Sequence, residues 1–374
     1  MMMTGSGLEP SGEYLSQSSG NTVQAVCFQS VGQVTTETLE PPLPEHPLDA
    51  VVRVSMAGLC GSDLHPFWGR EQGLHPGTVM GHELVGVVEK VGNSVSKVAV
   101  GDRVFVPFST NCGECYFCKK GLTSRCEVGQ LFGWRQQDST GSIVGLHGCQ
   151  SELVKVPFAD ASLKRLPDGV SDEAALLLGD NFSTGFFCAE MANIQPGGTY
   201  VVIGCGTVGQ LCIVAAKSMG AETLIAVDPV PSRQKQAEQL GAIAVSPDEA
   251  WGEVKSRTGG YGVDAVMELV GLPEAQALAF QLVRPGGILS VIGCHCTPNF
   301  SFSPVDAYDK NLTYRTGRCP ARRYMDVLTD RVASGEFDLS GFVTHQFEFK
   351  ESQLAYDVFA NRKEGCIKAV FTSS

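Results

Sequence analysis

Four cysteines lie close together in the spacing C-x2-C-x2-C-x7-C, and they are Cys112, Cys115, Cys118 and Cys126. Zn²⁺ binds four thiolates in a tetrahedron, and short C-x2-C steps let a turn present sulfurs to one ion. An iron–sulfur cluster and disulfides are the alternatives, but a cluster needs an electron-transfer context that the rest of the chain lacks. The spacing therefore predicts a structural zinc site. Because four ligands leave no open position, the chemistry must lie elsewhere.

A second set of candidate metal ligands is divided among three short motifs. Cys60 lies in GLCGSDLH, His82 in GHE and Asp180 in GDNFSTG. Each residue alone is a weak signal, since a buried cysteine is usually a small core residue. Together they supply a thiolate, an imidazole and a carboxylate. That set is sufficient for a zinc site with three protein ligands and an open fourth position.

A glycine-rich turn indicates a dinucleotide site. Gly204, Gly206 and Gly209 form G-x-G-x-x-G between the strand-like run TYVVIGCG and a helical segment. Such glycines allow a tight turn and close backbone approach to a pyrophosphate at the helix N-terminus. Asp228 ends the next strand, where its carboxylate would bind the adenosine ribose and repel a 2′-phosphate, which predicts NAD over NADP. Arg233 is expected near the adenosine, with a solvated helix charge as the alternative.

Length and composition limit the kind of protein. A chain of 374 residues with 43% hydrophobic and 18% charged residues indicates a globular protein of two domains. The net charge of −12 and the lack of a basic stripe argue against a nucleic-acid partner. Glycines interrupt the longest apolar run, near residues 200–216, so no membrane span is predicted.

The cysteine count and the first residues bear on location. Fourteen cysteines would fit a small secreted scaffold, but this chain is large and has no hydrophobic signal segment. The first lysine or arginine is Arg53, which argues against an arginine-rich transit peptide. We therefore expect a reducing compartment, the cytoplasm. Residues 1–20 are rich in serine and glycine and are predicted to be disordered.

The remaining pattern predicts the architecture. Residues 22–107 contain short alternating runs with turn signals, which are typical of an irregular β domain. After about residue 172, strand-like and helix-like segments alternate, which predicts a doubly wound parallel sheet. The last fifty residues are predicted to hold one helix and then two strands. The predicted fold class is α/β, with a β-rich domain beside a Rossmann-type domain.

In the order of these motifs, the chain resembles the zinc-dependent medium-chain alcohol dehydrogenase superfamily from about Val23 onward. Many members have cysteine at the position of Asp180. With aspartate there, the chain is similar to the formaldehyde dehydrogenase-like branch. The resemblance implies a GroES-like catalytic domain over 21–182 and 323–374 and a Rossmann NAD-binding domain over 183–322. It also implies two Zn²⁺ per chain, one catalytic and one structural, with NAD as the cofactor.

The resemblance also implies roles for the residues of the metal site. Cys60, His82 and Asp180 would hold the catalytic zinc. Glu83 resembles the acidic neighbour that replaces water on the zinc during turnover. Asp63 resembles the carboxylate that orients the ligand histidine.

Four further roles follow from the same resemblance. Ser62 and His65 would pass the substrate proton to solvent through the ribose, and a partly exposed surface histidine is the alternative for His65. Thr184 would pack on the nicotinamide. Lys368 would reach the pyrophosphate across the cleft, with a plain surface lysine as the alternative.

The implied reaction is hydride transfer between a primary or secondary alcohol, or an aldehyde hydrate, and NAD. Zinc would act as a Lewis acid that favours the alkoxide form of the substrate. The alternatives are a formaldehyde dehydrogenase or dismutase that retains NAD, a polyol or sorbitol-type dehydrogenase, a zinc-free quinone reductase and a catalytically silent member.

Two residues of the stretch between Cys126 and Gln150 have two possible roles. Trp134 and His147 would either line the substrate pocket or have a structural role in the core or at the surface. Dimeric members of the superfamily carry a longer insertion between the positions of Cys126 and Gln150, so the resemblance implies a homo-oligomer that is a tetramer rather than a dimer.

Overall fold

The computed structural model describes residues 22–373, so the predicted disordered tail over 1–20 falls outside the described residues. The strands are β1 Val23–Ser30, β2 Gln33–Leu39, β3 Ala50–Leu59, β4 Leu84–Val91, β5 Arg103–Phe105, β6 Trp134–Gln137, β7 Ile143–Leu146, β8 Leu153–Val156, β9 Lys164–Arg165, β10 Thr199–Ile203, β11 Thr223–Val227, β12 Ile243–Val245, β13 Val263–Glu268, β14 Val283–Val291, β15 Thr313–Thr316, β16 Val343–Glu348 and β17 Lys368–Thr372. The helices are α1 Leu64–Phe67, α2 Tyr116–Lys119, α3 Ala159–Ser162, α4 Asp172–Gly179, α5 Asn181–Met191, α6 Thr207–Ser218, α7 Pro231–Gln239, α8 Ala250–Thr258, α9 Pro273–Leu282, α10 Pro304–Asp309, α11 Ala321–Ala333 and α12 Ser352–Ala360.

Six strands form one parallel sheet in the order β12-β11-β10-β13-β14-β15. In chain order within this sheet, the arrangement is 3-2-1-4-5-6, the order of a doubly wound dinucleotide-binding fold. The run TYVVI of β10 is nearly all buried, as expected for a strand covered by helices on both faces. The chain changes direction between β10 and β13, and ligands of such sheets bind at the carboxyl ends of the strands at this point.

The other large sheet has seven strands, in the order β16-β17-β3-β4-β5-β9, with β8 also paired to β3. Strand β3 lies at its centre and pairs antiparallel with β4, β8 and β17. The closing strand β17 therefore lies against β3 just before Cys60. Together with the parallel sheet, this arrangement confirms the predicted α/β fold class with a β-rich part and a Rossmann-type part.

Helices α4 and α5 connect the two sheets. Ser171 caps α4 by accepting the backbone N–H of Ala174. The helix ends at Gly179, and α5 begins at Asn181 after a break at Asp180, whose φ of −142° is not helical. Helix α5 packs closely on α6, because a Cβ on Gly185 would lie 2.7 Å from the backbone nitrogen of Cys212. This packing holds the break between the sheets.

The returning segment differs from the sequence prediction. Strands β16 and β17 are present, but the segment contains two helices, α11 and α12, instead of one. Helix α12 has nine residues, too few for a clear helical pattern, and buries Tyr356 and Phe359 among other core residues. The sheets support the proposed domains, whose exact boundaries stay predictions.

Among residues 22–373, no helix is long and apolar enough to cross a membrane.

Candidate functional site

The three predicted catalytic zinc ligands come together between the sheets. Cys60 follows β3, His82 precedes β4, and Asp180 lies at the break between α4 and α5. The Sγ of Cys60 and the Nε2 of His82 are each 3.5 Å from Oδ2 of Asp180. Around a tetrahedral zinc, the usual bond lengths place such ligand atoms about 3.4–3.6 Å apart. The arrangement of donor atoms therefore fits one metal ion.

Asp63 fixes the orientation of two of these residues. Its Oδ1 is 3.1 Å from Nδ1 of His82, so Nε2 is the nitrogen that faces the other ligands. Its Oδ2 accepts the backbone N–H of Cys60 at 2.9 Å. Such outer carboxylates fix the ring orientation of a histidine ligand and raise its basicity. Asp63 therefore orients His82 and helps to hold Cys60 in place.

The charges in the site favour a cation. Burial and the nearby Asp180 carboxylate raise the pKa of the Cys60 thiol. Although burial opposes the charged imidazole, the carboxylates of Asp63 and Asp180 raise the pKa of His82 well above its ordinary value. Two potential anions therefore lie side by side in a buried site. A divalent ion would stabilise the thiolate and the carboxylate together, which is the second way in which these residues fit a metal.

Glu83 and Lys368 form a buried ion pair beside the predicted metal ligands. Both are buried, and the ammonium of Lys368 donates to the Glu83 carboxylate and to the Leu59 carbonyl, the latter at 2.9 Å. The prediction that Lys368 reaches the pyrophosphate is wrong for this structure, because its side chain is wholly enclosed and its charge is paired. The surface-lysine alternative is wrong for the same reason. Strand β17 pairs beside β3, and this pairing directs the side chain inward.

Asn181 connects the Glu83–Lys368 pair to the predicted metal ligand Asp180. This contact was not predicted from the sequence. Its side-chain Nδ2 donates to Glu83 Oε1 at 2.9 Å and lies 3.1 Å from Asp180 Oδ2. Asn181 directly follows the candidate ligand Asp180 in GDNFSTG, so the motif itself held the signal. Gln150 was also missed, and it donates to the carbonyl of Gly58 at 3.1 Å. No local motif marks Gln150, because its partners are distant in sequence.

The other predicted residues of the site have different surroundings. The Ser62 hydroxyl is 3.4 Å from Nε2 of His82, so it lies beside the ligands. Thr184 donates its hydroxyl to Asp180 Oδ1 at 3.1 Å. His65 is only 6% exposed, which excludes the surface alternative, and its Nδ1 is 3.5 Å from the Sγ of Cys296. The roles of Ser62 and His65 in proton transfer, and of Thr184 at the nicotinamide, stay predictions.

Trp134 and His147 have local partners. Trp134 donates its indole N–H to Gln136 at 3.2 Å. His147 accepts the backbone N–H of Val79 at 3.1 Å, and its other ring nitrogen is 2.7 Å from Arg135. Burial and the Arg135 charge lower the pKa of His147 to about 4. These contacts favour the structural role over the pocket role for both residues.

The glycines of the glycine-rich turn have different roles: one allows close packing of a helix, and another borders open space. A Cβ on Gly209 would lie 1.7 Å from the Gly204 carbonyl oxygen, so helix α6 can approach the turn only with glycine there. Gly204 itself has a φ of +90°, which favours glycine. A Cβ on Gly206 would meet only the guanidinium of Arg233, at 3.8 Å. Gly206 therefore borders open space at the N-terminus of α6.

Asp228 and Arg233 lie on the other side of this turn. The Asp228 carboxylate accepts the backbone N–H of Cys205 at 2.8 Å and of Val230 at 2.9 Å, so it is held at the carboxyl end of β11. Arg233 lies 3.8 Å from this carboxylate, and its side chain is 17% exposed. The alternative of a solvated helix charge is therefore wrong, and the guanidinium faces the turn instead.

The four-cysteine segment forms a compact lobe. The backbone N–H of Cys112 donates to the Sγ of Cys126 at 3.2 Å, and that of Cys115 donates to the Sγ of Cys112 at 3.3 Å. Backbone hydrogen bonds lower the pKa of the Cys115 thiol to about 6, whereas burial raises the pKa of Cys118 and of Cys126. The four sulfurs lie within 4.8 Å of one another. Their arrangement fits the predicted structural zinc site.

Comparisons with known proteins agree with this geometry. Residues 46–168 match the family model described as alcohol dehydrogenase GroES-like domain, and residues 207–334 match the one described as zinc-binding dehydrogenase. The first match contains the four-cysteine lobe together with Cys60 and His82. The second begins within the glycine-rich turn. Both parts of the described architecture therefore match.

Individual proteins align over nearly the whole chain. The zinc-type alcohol dehydrogenase B of Aspergillus flavus is 37% identical, covering 91% of this chain and 80% of that protein. The solved structure of an alcohol dehydrogenase from Thermus sp. ATN1 superposes with a TM-score of 0.87 at 34% identity, covering 94% of this chain and 100% of that one. A zinc-dependent alcohol dehydrogenase 2 from Streptococcus pneumonia superposes with a TM-score of 0.84 at 29% identity, covering 94% and 99%.

Proposed function

Because this chain belongs to the zinc-dependent medium-chain alcohol dehydrogenase superfamily, we propose that it oxidises a small primary or secondary alcohol with NAD as hydride acceptor. The observation that supports this most is the convergence of Cys60, His82 and Asp180 into one set of ligand atoms, in a chain that also has a glycine-rich turn and a separate four-cysteine lobe. An aldehyde hydrate, the substrate form of a formaldehyde dehydrogenase-like enzyme, is included because a carboxylate stands at position 180.

The residues around the site would have separate roles in metal binding and proton transfer. Cys60, His82 and Asp180 would hold the ion, and when bound it supplies a Lewis acid that lowers the pKa of an alcohol. The Ser62 hydroxyl, 3.4 Å from Nε2 of His82, lies where it can accept the proton of an alcohol placed beside the ligands. His65 would take up that proton and release it to solvent. Burial and Arg70 lower the pKa of His65, so it starts neutral and is able to accept a proton.

The proposed cofactor is NAD. Asp228 ends β11 with its carboxylate held by two backbone N–H groups, and a 2′-phosphate at this point would meet a buried negative charge. The Arg233 guanidinium lies beside Gly206. With Lys368 paired to Glu83, we infer that Arg233 takes part in binding the phosphate or the adenosine. A homo-oligomer and a cytoplasmic location remain part of the proposal.

The direct test of the function is an NAD-linked activity screen. We expect the zinc-loaded protein to reduce NAD with at least one member of a panel of primary alcohols, secondary alcohols, polyols and formaldehyde hydrate, and to use NADP at least about 100-fold less efficiently in kcat/KM. Asp228→Ala should reduce that preference for NAD. Lack of turnover across the panel, in protein that holds both zinc ions, would count against the proposal.

Replacing Gly206 with alanine should weaken NAD binding without harming the fold. The added Cβ meets only Arg233, at 3.8 Å, and the backbone of Gly206 has a φ of −70° that alanine adopts freely. The methyl group would, however, occupy the space where the pyrophosphate approaches. We expect the Kd for NAD to rise at least about tenfold, measured by calorimetry, because a group that prevents close approach costs more than about 1.4 kcal/mol.

Gly209→Ala serves as the contrasting variant. Its Cβ would overlap the Gly204 carbonyl at 1.7 Å, so the helix would have to move, and the melting temperature should fall. If Gly206→Ala bound NAD as tightly as the unaltered protein, the pyrophosphate would not lie at this turn.

A further inference from the structure

A third cluster of metal-binding atoms lies outside both predicted zinc sites. It consists of His65, Cys294 and Cys296, whose ligand atoms lie within 4.8 Å of one another. The Sγ of Cys296 is 3.5 Å from Nδ1 of His65. Sulfur and nitrogen ligands of one tetrahedral zinc lie about 3.5 Å apart, given the usual Zn–S and Zn–N bond lengths. The His65 and Cys296 atoms are therefore already spaced like two ligands of a single ion, and the Sγ of Cys294 lies within 4.8 Å of both.

The fold directs the two sulfurs toward the histidine. Cys294 and Cys296 follow β14, whose carboxyl end faces the cleft, and His295 between them turns the other way. The Nε2 of His295 is 3.1 Å from the buried carboxylate of Glu268. His295 therefore contacts the sheet, whereas Cys296 contacts His65 and Cys294 lies in the same cluster.

Glu268 makes this anchor rigid. Its Oε1 accepts the backbone N–H groups of Val270 and Gly271, each at 2.8 Å. The carboxylate is therefore fixed at the end of β13, in the centre of the parallel sheet. The cysteine segment is consequently held by the sheet itself, even though Cys294 and Cys296 are exposed.

The cluster connects two parts of the molecule. His65 belongs to α1, which directly follows the Cys60 turn of the antiparallel sheet, whereas both cysteines belong to the parallel sheet. An ion held by all three would link the two parts across the cleft and would occupy Nδ1 of His65. A proton carrier with that nitrogen bound to a metal cannot turn or titrate freely.

Nearby charges and the protonation state of the thiols limit how tightly this cluster can bind a metal. Although Cys294 is exposed as a residue, burial of its thiol group, followed by the Cys296 thiol and Glu71, raises the pKa of Cys294 to about 11. At neutral pH such a thiol is protonated, and a protonated thiol reacts slowly with oxidants. Glu71 attracts a cation, while Arg70 and Arg318 oppose it. We therefore expect this cluster to bind more weakly than the two sites described above.

We propose that His65, Cys294 and Cys296 form a third metal site, an inhibitory one that takes thiophilic divalent ions such as Zn²⁺ or Cd²⁺. On binding, both thiols release their protons to solvent, neutral His65 binds through Nδ1, and water completes the tetrahedron. The inhibitory effect rests on the proposed function, through the role of His65 as proton carrier. The binding of the ion does not.

Titration of the zinc-loaded protein with Cd²⁺ tests the binding. We expect one additional Cd²⁺ per chain, with thiolate-to-metal absorption in the ultraviolet and no release of zinc. Cys296→Ser should weaken this binding at least about 100-fold, because losing a direct ligand costs more than losing an outer contact worth about 10–100-fold. Thr297→Ala, an exposed change in the same segment, should bind as the unaltered protein does. No additional Cd²⁺, or equal binding by Cys296→Ser, would overturn the site.

Activity gives the second measurement. Cd²⁺ should inhibit alcohol oxidation over the same concentration range in which it binds, and a chelator should reverse the effect. Cys296→Ser should keep the basal rate and require at least about 100-fold more Cd²⁺ for inhibition. Binding without inhibition would overturn the inhibitory role alone. If the protein proved to have no alcohol activity, the Cd²⁺ titration would still decide whether the site exists.

Discussion

Cys60→Ser is expected to remove one of two zinc ions and to lower kcat/KM by more than about 100-fold while the fold remains intact. Serine lacks the thiolate that lies 3.5 Å from Asp180, and its shorter, harder oxygen is a poor substitute for a soft ligand. The four-cysteine lobe is a separate set of ligands, so its zinc should remain. Metal analysis of dialysed protein, combined with steady-state kinetics, measures both effects.

Two further variants sharpen this test. Cys118→Ser should lose the other zinc, and its main effect should be a lower melting temperature, since a closed four-thiolate site contributes to folding directly. Cys27→Ala changes a buried cysteine of β1 that belongs to none of the three metal clusters, and it should retain both zinc ions. A Cys60→Ser protein with two zinc ions and normal turnover would contradict the assignment of the catalytic site.

Short motifs allowed the sequence to predict much of the molecule. Cys60, His82 and Asp180 each lie in a short motif next to a strand or helix, and the resemblance supplied their common role. The glycine-rich turn could be predicted because its spacing reflects local backbone geometry. The helix at 273–282 begins with a proline, a residue whose missing N–H is tolerated at the first helical position.

Contacts between distant segments could not be predicted in the same way. Lys368 follows Glu83 by 285 positions, and only the pairing of β17 with β3 brings them together. Cys296 and His65 are likewise 231 residues apart. Neither pair has a spacing that a local pattern could reveal. A lysine in a closing strand therefore seemed accessible to a cofactor, whereas the sheet directs it into the core.

The buried pair leads to the second large expected effect. Lys368→Met should lower the free energy of unfolding by about 3–5 kcal/mol, because removal of one partner leaves a buried carboxylate without its counter-charge. The side chains of both Lys368 and Glu83 are fully enclosed, so water cannot compensate. Chemical denaturation of the zinc-loaded protein measures the change. Lys164→Met breaks an exposed pair with Asp326 and should change stability little.

A double variant separates the effect of the paired charges on stability from the effect of side-chain size. Glu83→Gln keeps an oxygen for the Nδ2 of Asn181, which donates to Glu83 Oε1 at 2.9 Å, but removes the charge. In Glu83→Gln/Lys368→Met no unpaired charge remains, so the combined loss should be smaller than the sum of the single losses by about 2–3 kcal/mol. Additive losses would mean that the two charges do not stabilise each other.

Turnover gives a separate measurement on the double variant. If the Glu83 carboxylate, directly after His82, is needed beside the metal, the double variant should regain stability without regaining turnover. Equal kcat in the double variant and the unaltered protein would limit the pair to a structural role.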